Sequence, residues 1–327
     1  MTNRSLRILV TGGAGYLGST LVPLLLADGH VVRVLDNLRY GGRSLLGVWN
    51  HPAFDFIRGD IRNRAVVRSA VEGIDAVVHL AAIVGDPACA REPEEARAIN
   101  LDASLQLLDI SRDLHVSRFV FASTCSNYGR MSNPDMLMDE TSTLRPLSLY
   151  AETKVAVEQA LLDPTRSEPA CATSLRFATI FGVSPRMRFD LTVNEFTVEM
   201  LTRSHLVVFG EQFWRPYVHV RDAAAAIRLT LVSPVERVRG QVFNVGSSEQ
   251  NFRKQQIVEL VHRQAPEATV EYVHVDQDPR DYRVSFAKIR EQLAFETTTS
   301  VEQGVAEVAR LVRQGILQDA HDASYRN

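Results

Sequence analysis

Apolar residues recur along this chain in two alternating patterns. Short apolar runs bounded by turn residues alternate with longer stretches whose apolar positions repeat every three to four residues. The first pattern reads as buried strands and the second as amphipathic helices. Strands are predicted over 7–10, 31–35, 54–57, 76–81, 118–123 and 173–177, and helices over 16–27, 63–71, 93–114 and 149–162. Gly29 is placed to end the first helix in a left-handed turn. Strictly alternating strands and helices imply a doubly wound parallel α/β sheet, covered on both faces. After about residue 180 the alternation loosens. The segments 182–190, 210–216 and 276–283 are polar, arginine-rich and aromatic. The chain is therefore expected to form one sheet domain over 1–180 and a smaller α/β substrate-binding region over 181–327. The segment near 214–245 is expected to return to the first domain.

Composition narrows the function without naming it. Hydrophobic residues are 45% and charged residues 23%, a globular balance that excludes a disordered chain. Lys plus Arg is 36 against 39 for Asp plus Glu, a net charge of -3, so nothing draws the whole chain toward nucleic acid or an anionic membrane. Only three of the basic residues are lysines, Lys154, Lys254 and Lys288, and each raises the question of why an amine is needed there. The three cysteines, Cys89, Cys125 and Cys171, have no paired spacing, which argues against a disulfide framework and a metal site and for a reducing compartment. The apolar run near the N-terminus is too short for a signal segment, and no apolar stretch approaches ~20 residues. A cytoplasmic protein without a membrane span is expected.

The segment 11–18, TGGAGYLG, lies between a predicted strand and a predicted helix. Gly12, Gly15 and Gly18 fit G-x-x-G-x-x-G, while Gly13, Gly15 and Gly18 fit G-x-G-x-x-G. Either reading gives a tight turn whose backbone approaches a pyrophosphate, with the helix N-terminus presenting N–H groups to the anion. Asp36 ends the next strand, 18 residues beyond Gly18, where a carboxylate accepts hydrogen bonds from ribose hydroxyls. It would repel a 2′-phosphate, which favours NAD over NADP, although Arg39 nearby would soften that preference. Asp60 has two readings, a contact near the adenine and an N-cap for the helix that follows.

Tyr150 and Lys154 form Y-x-x-x-K and share one helix face. An ammonium beside a phenol lowers the phenol pKa, and a phenol so tuned serves as a general base or acid near neutral pH. The pair opens the helix after the fifth strand, at the carboxyl end of the sheet, where open α/β sheets bind ligands. The hydroxyl-rich segment 123–126 ends that fifth strand and should face the same crevice.

TGGAGYLG, Asp36-Asn37, GDI at 59–61, HLAA at 79–82, STCSNYG at 123–129 and YAETK at 150–154 occur in one order. With LRFATIFG at 175–182, RPYVHVRD at 215–222 and FNVGSS at 243–248, this set resembles the extended short-chain dehydrogenase/reductases of the nucleotide-sugar epimerase and dehydratase branch, over nearly the whole chain. The resemblance implies a Rossmann-type sheet and bound NAD. It implies cofactor contacts from Gly12, Gly15, Tyr16, Leu17, Gly18, Asp36, Asn37, Asp60, Ile61, Leu80, Ala81, Ala82, Phe177 and Ile180, with Tyr150 and Lys154. Thr124, Tyr150 and Lys154 occupy the catalytic positions. Tyr150 would take the proton of a sugar hydroxyl, Thr124 would bond the same oxygen, and Lys154 would bind the nicotinamide ribose.

The dehydratases of the family place Asp-Glu directly after the threonine, whereas this chain has Cys125 and Ser126. Small neutral residues there fit 4-epimerisation. Cys125 retains a second reading, a thiol of lowered pKa near Lys154 serving as acid or base in a dehydratase. A net ketoreductase is a third possibility. A non-catalytic NAD-binding regulator is opposed by the retention of Thr124, Tyr150 and Lys154. For a nucleotide-diphosphate sugar, Arg215, Arg280 (with Arg283 as the alternative) and Asn194 match the diphosphate contacts. Arg186 and Arg188 have two readings, contact with the sugar and plain solvation. Thr179 replaces an expected asparagine after Arg176. His79 and His219 are read as strand residues without a proton-transfer role. The helices 93–114 and 149–162 resemble the pair that forms a homodimer interface in relatives.

Overall fold

The computed structural model describes residues 5–131, 136–163, 171–276, 278, 280–317 and 319–327. Its strands are β1 (Arg7–Thr11), β2 (Val31–Asp36), β3 (Phe54–Arg58), β4 (Ala76–His79), β5 (Arg118–Thr124), β6 (Cys171–Phe177), β7 (Thr179–Phe181), β8 (His205–Phe209), β9 (Trp214–His219), β10 (Gln241–Val245), β11 (Asn251–Arg253) and β12 (Thr269–Val273). Seven of them form one sheet in the order β10-β6-β5-β4-β1-β2-β3, with every pairing parallel. The order reverses between β1 and β4, and the crevice above that reversal is where such a sheet takes ligands.

Side chains alternate across this sheet into two cores. Ile8, Val10, Val32, Val34, Val78 and Val120 pack on one face, under the helices Tyr16–Ala27 and Val220–Val232. Leu9, Leu35, Val77, Phe119 and Phe121 pack on the other, under Arg64–Val71, Ala103–Asp113 and Leu149–Leu162. A strand sends successive side chains to opposite faces, so only a sheet covered on both sides tolerates such unbroken apolar runs.

The predicted elements recur with three differences. Gly29 follows the end of the first helix at φ +83, as expected. The strand expected over 76–81 stops at His79, and residues 80–82 leave the sheet to pass beneath Gly12. The helix expected over 93–114 is not continuous. It runs Pro93–Arg97, widens into a π-helical turn over Ala98–Asp102, and resumes over Ala103–Asp113. The wide turn carries the buried Asn100, whose amide accepts from the Ile83 N–H at 2.8 Å and donates to the Ile83 carbonyl at 2.9 Å. A further helix, Asp86–Arg91, has too few apolar residues to have been read from periodicity.

The remaining strands form a β11-β9-β7 sheet and a parallel β12-β8 pair. With the helices Thr192–Arg203, Lys254–His262 and Val301–Arg313 they enclose a separate core around Phe181, Met200, Val208 and Ile257. Among the described residues, no helix is long and apolar enough to cross a membrane.

Candidate active site

The carboxyl ends of β1, β2, β4 and β5 open into a cavity of about 1020 Å³, closed from the other side by the second region. Two glycines set its floor. Gly12 lies at φ +73, and a Cβ there would stand 2.7 Å from the Ala81 nitrogen. A Cβ on Gly18 would stand 2.5 Å from the Gly12 carbonyl oxygen. Gly12, Gly15 and Gly18 line the cavity, whereas Gly13 faces Val34 in the sheet, so the G-x-x-G-x-x-G reading is the one that describes the ligand side. The helix that starts at Tyr16 has Gly15 as its cap, no side-chain cap and no acid in its first turn. Its N–H groups are left for an anion.

Asp36 ends β2 on the cavity wall and accepts from the N–H groups of Ala14 at 3.0 Å and Leu38 at 2.8 Å. Asn37 lines the wall beside it, and its Oδ1 accepts from the Arg39 N–H at 3.0 Å. Asp60 does not cap the next helix, since Asn63 does so by accepting from the N–H groups of Ala65 and Val66. Asp60 lines the cavity instead and is paired with Arg62 at 2.6 Å, which holds its carboxyl below the usual range. Tyr16, Leu17, Ile61, Leu80, Ala81, Ala82, Phe177 and Ile180 also line it.

At the β5 end stand Thr124, Ser126, Tyr150 and Lys154. Thr124 Oγ1 accepts from the Ser126 N–H at 3.1 Å, which leaves its own proton for a ligand oxygen. Ser148 caps the helix that carries Tyr150 and donates to Asp86 at 2.7 Å. Lys154 Nζ donates to the Ala122 carbonyl at 2.8 Å and lies 5.9 Å from the centre of the Tyr150 ring. Burial brings the Lys154 pKa down to about 8 and pushes that of Tyr150 up. The expected lowering of the Tyr150 pKa is not found, because desolvation of the phenolate, reinforced by Cys89 and Asp86, outweighs the opposing charge of Arg188.

Cys125 is a correction. A short 3₁₀ turn over Cys125–Tyr128 sends Ser126 into the cavity and Cys125 into the core. Its thiol is fully buried, donates to the Arg176 carbonyl at 3.2 Å, and is held by burial well above its ordinary pKa. A thiol so placed is not an acid or base for a sugar. Ser126 Oγ lies 3.3 Å from the Tyr282 hydroxyl.

Asn194 is a second correction. It is completely buried and does not line the cavity. Its Oδ1 accepts from the Gly182 N–H at 2.9 Å, and its amide donates to the Tyr16 hydroxyl at 3.2 Å and the Arg188 carbonyl at 2.9 Å. It braces the second region against the first helix rather than facing a diphosphate.

The arginines are mostly engaged within the protein. Arg215 lines the cavity and pairs with Asp278 at 2.6 Å, and it donates to the carbonyls of Trp214 and Arg280. Arg280 lies 3.5 Å from Asp86 and 3.6 Å from Asp278, whereas Arg283 is not on the cavity wall and lies over the Trp214 ring. Arg188 lines the cavity paired with Asp190 at 2.7 Å. Arg39 is held by Glu92 at 2.5 Å and Glu95 at 2.8 Å. Thr179 is on the cavity wall.

His79 is buried between Thr11 at 2.7 Å and Ser104 at 2.8 Å, and burial brings its pKa down to about 3. His219 bonds Glu307 at 2.8 Å. Neither lines the cavity.

Residues outside the expected set also meet here. Lys254 lines the cavity, donates to the Phe209 carbonyl at 2.8 Å and lies 3.5 Å from Asp278. Its rarity as a lysine was the one available signal. Phe209 presents a ring that is 58% exposed on the cavity wall. Arg326 and Asn327 also line it, with Asn327 N–H donating to Asp190 at 3.3 Å. Among the described residues, no group of three or more His, Cys, Asp and Glu side chains is arranged to hold a metal ion.

The residues present fit a dinucleotide. The glycine floor leaves no room for a Cβ, the helix N-terminus is uncapped, and Asp36 is held at the end of β2 on the cavity wall, a placement that suits ribose hydroxyls. Comparison with known proteins agrees. The sequence profile described as the NAD dependent epimerase/dehydratase family matches residues 8–246. A UDP-glucose 4-epimerase of Corynebacterium glutamicum is 30% identical over 272 residues, covering 78% of this chain and 79% of that protein. The crystal structure of a UDP-glucose 4-epimerase of Thermotoga maritima with UDP-glucose superposes with a TM-score of 0.84 at 28% identity, covering 95% of this chain and 100% of the other. That of the dTDP-glucose 4,6-dehydratase DesIV of Streptomyces venezuelae, with NAD bound, gives 0.85 at 26% identity over 94% of this chain and 97% of the other. Motifs, fold and site geometry converge with these likenesses: the chain belongs to the NAD-dependent epimerase/dehydratase family, and NAD is its cofactor.

Proposed function

We propose that this protein is a nucleotide-sugar 4-epimerase that works through a transient 4-keto sugar. The observation that carries the proposal is the pair that follows Thr124. Cys125 is turned into the core and Ser126 is a small hydroxyl, so this strand end offers neither the acid nor the base that 4,6-elimination needs.

Bound NAD supplies a hydride acceptor and donor for the sugar C4. Thr124 donates a hydrogen bond to the sugar O4 and orients it. Tyr150 takes the proton from O4 and gives it back once the sugar has turned its other face. Lys154, 5.9 Å from the Tyr150 ring, offsets the charge of the phenolate during that exchange. Arg215, Lys254 and Arg280, gathered around Asp278, suit the two phosphates of a nucleotide sugar. Phe209 offers an exposed ring to its base.

The test is a mass-spectrometric screen of the purified protein, without added cofactor, against UDP-, dTDP-, GDP- and CDP-sugars. A product of unchanged mass and new retention time, lost in Tyr150→Phe, is expected. A product lighter by one water would overturn the proposal in favour of a dehydratase.

A further inference from the structure

Arg186 stands out among the cavity arginines. It lies in the loop between β7 and the helix Thr192–Arg203, and it is only 6% exposed. Among the described residues it forms no ion pair, in contrast with Arg39, Arg188 and Arg215, and its Nε is buried without a hydrogen-bond partner. Its one side-chain bond is from Nη2 to the Arg326 carbonyl at 3.1 Å. A guanidinium deprived of water needs anionic or carbonyl partners for its donors, and this one has a single carbonyl while its buried Nε has none. Burial and the neighbouring Arg188 bring its pKa down to about 10, so it remains a cation at neutral pH.

Its position indicates the missing partner. The Arg186 N–H donates to Ser19 Oγ at 3.3 Å, one turn into the helix that begins at Tyr16. Ser184, two residues earlier, donates to the Tyr16 carbonyl at 2.6 Å. The guanidinium carbon lies 4.3 Å from the centre of the Tyr40 ring, in the loop that follows Asp36. Arg186 is therefore anchored at the glycine-turn helix and spans toward the Asp36 loop. Those two features bracket the ADP half of a dinucleotide. Thr124 and Tyr150 stand at the β5 end of the crevice, with β4 intervening in the sheet.

We propose that Arg186 clamps the pyrophosphate of the bound NAD, closing over it from the second region while the uncapped helix N-terminus meets it from below. The anion then receives two independent sources of positive charge, one from each region of the chain. The Tyr40 ring keeps the guanidinium flat and in place when no anion is bonded to it. The proposal rests on NAD being the cofactor and is indifferent to which reaction the enzyme performs.

The experiment compares wild type, Arg186→Ala, Arg186→Lys and Arg188→Ala. Each protein is purified, its NAD released by denaturation and quantified, and the affinities of the stripped protein for NAD, ADP-ribose and adenosine measured by calorimetry. Loss of charge-assisted hydrogen bonds predicts that Arg186→Ala weakens NAD and ADP-ribose by about 10–100-fold, and leaves adenosine, which has no pyrophosphate, unchanged. Arg186→Lys should fall between and, being the milder change, keeps the question open to refutation if the alanine variant does not fold. Arg188→Ala should retain NAD. NAD held by Arg186→Ala as tightly as by wild type would overturn the clamp. Equal loss of adenosine affinity would overturn it too, since the residue would then be shaping the nucleoside pocket through Tyr40.

Discussion

Lys154 should make the folded protein less stable than an apolar side chain at the same place would. The residue is 3% exposed, and its ammonium has one hydrogen bond, to the Ala122 carbonyl at 2.8 Å. Burial lowers its pKa from an ordinary 10.5 to about 8. At ~1.4 kcal/mol per pH unit of displacement, keeping the amine charged at pH 7 costs about 3 kcal/mol. Lys154→Met removes that cost and also the hydrogen bond, worth about 1 kcal/mol, so the variant should be more stable by about 2 kcal/mol. The sign has a pH signature. Between about pH 8 and 10.5 the unfolded chain binds a proton at this position that the folded chain has released. Wild-type stability therefore gains with rising pH across that window, and the advantage of the variant is full below pH 8, shrinks above it and turns into a deficit of about 1 kcal/mol toward 10.5, where only the lost hydrogen bond remains. Thermal unfolding of NAD-stripped wild type and Lys154→Met from pH 7 to 10 reads this directly, with the variant melting a few degrees higher at pH 7. The same variant should be inactive, a site residue retained at the expense of stability. A variant that melts below wild type at pH 7, or a gap that does not close with pH, would refute the reasoning.

Two other substitutions test how the site is built. Cys125→Ala should leave turnover within about twofold and lower stability by about 1 kcal/mol, the loss of a buried thiol and its hydrogen bond to the Arg176 carbonyl. A tenfold fall in kcat without loss of fold would return the thiol to the chemistry. Gly18→Ala should abolish NAD retention, since its Cβ would stand 2.5 Å from a backbone oxygen that cannot move aside, and should cost about 1–3 kcal/mol by overpacking. Quantifying NAD per protomer and the melting temperature checks both effects.

The alternation of strands and helices was legible because each β1-type run feeds two cores at once. Ile8 and Val10 go to one and Leu9 to the other, and a pattern of that kind has few alternatives. The glycine floor was legible because its need is local: Gly12 and Gly18 meet backbone close in sequence or one strand away. Where a side chain ends up across the fold was not. Cys125 and Ser126 are adjacent, and only the sense of a single 3₁₀ turn decides which of them faces the cavity. Asn194 has the residue type and position for a ligand contact, but the Gly182 backbone and the Tyr16 hydroxyl absorb its amide. The pairing of Arg215 with Asp278 joins residues 63 apart, which no spacing rule anticipates. The π-helical turn over Ala98–Asp102 follows from seating Asn100 against Ile83, a tertiary demand placed on a helix that periodicity draws as continuous.

Those pairings also account for the choice of cofactor in physical terms. A 2′-phosphate on the adenosine ribose would have to sit beside the Asp36 carboxylate, which two backbone N–H groups hold in place on the cavity wall. Arg39 is close enough in sequence to counter that charge, but its guanidinium is already divided between Glu92 and Glu95. Arg62 is likewise occupied by Asp60, and shares Glu95 at 3.3 Å. To serve a phosphate, Arg39 would have to leave two carboxylates behind, and the phosphate would still face Asp36. Those partly exposed pairs are each worth only about 0–1 kcal/mol, so the larger obstacle is the Asp36 carboxylate, which the phosphate would still face. By this argument Asp36 is the principal obstacle to a 2′-phosphate, and the engagement of Arg39 with Glu92 and Glu95 adds only a small increment.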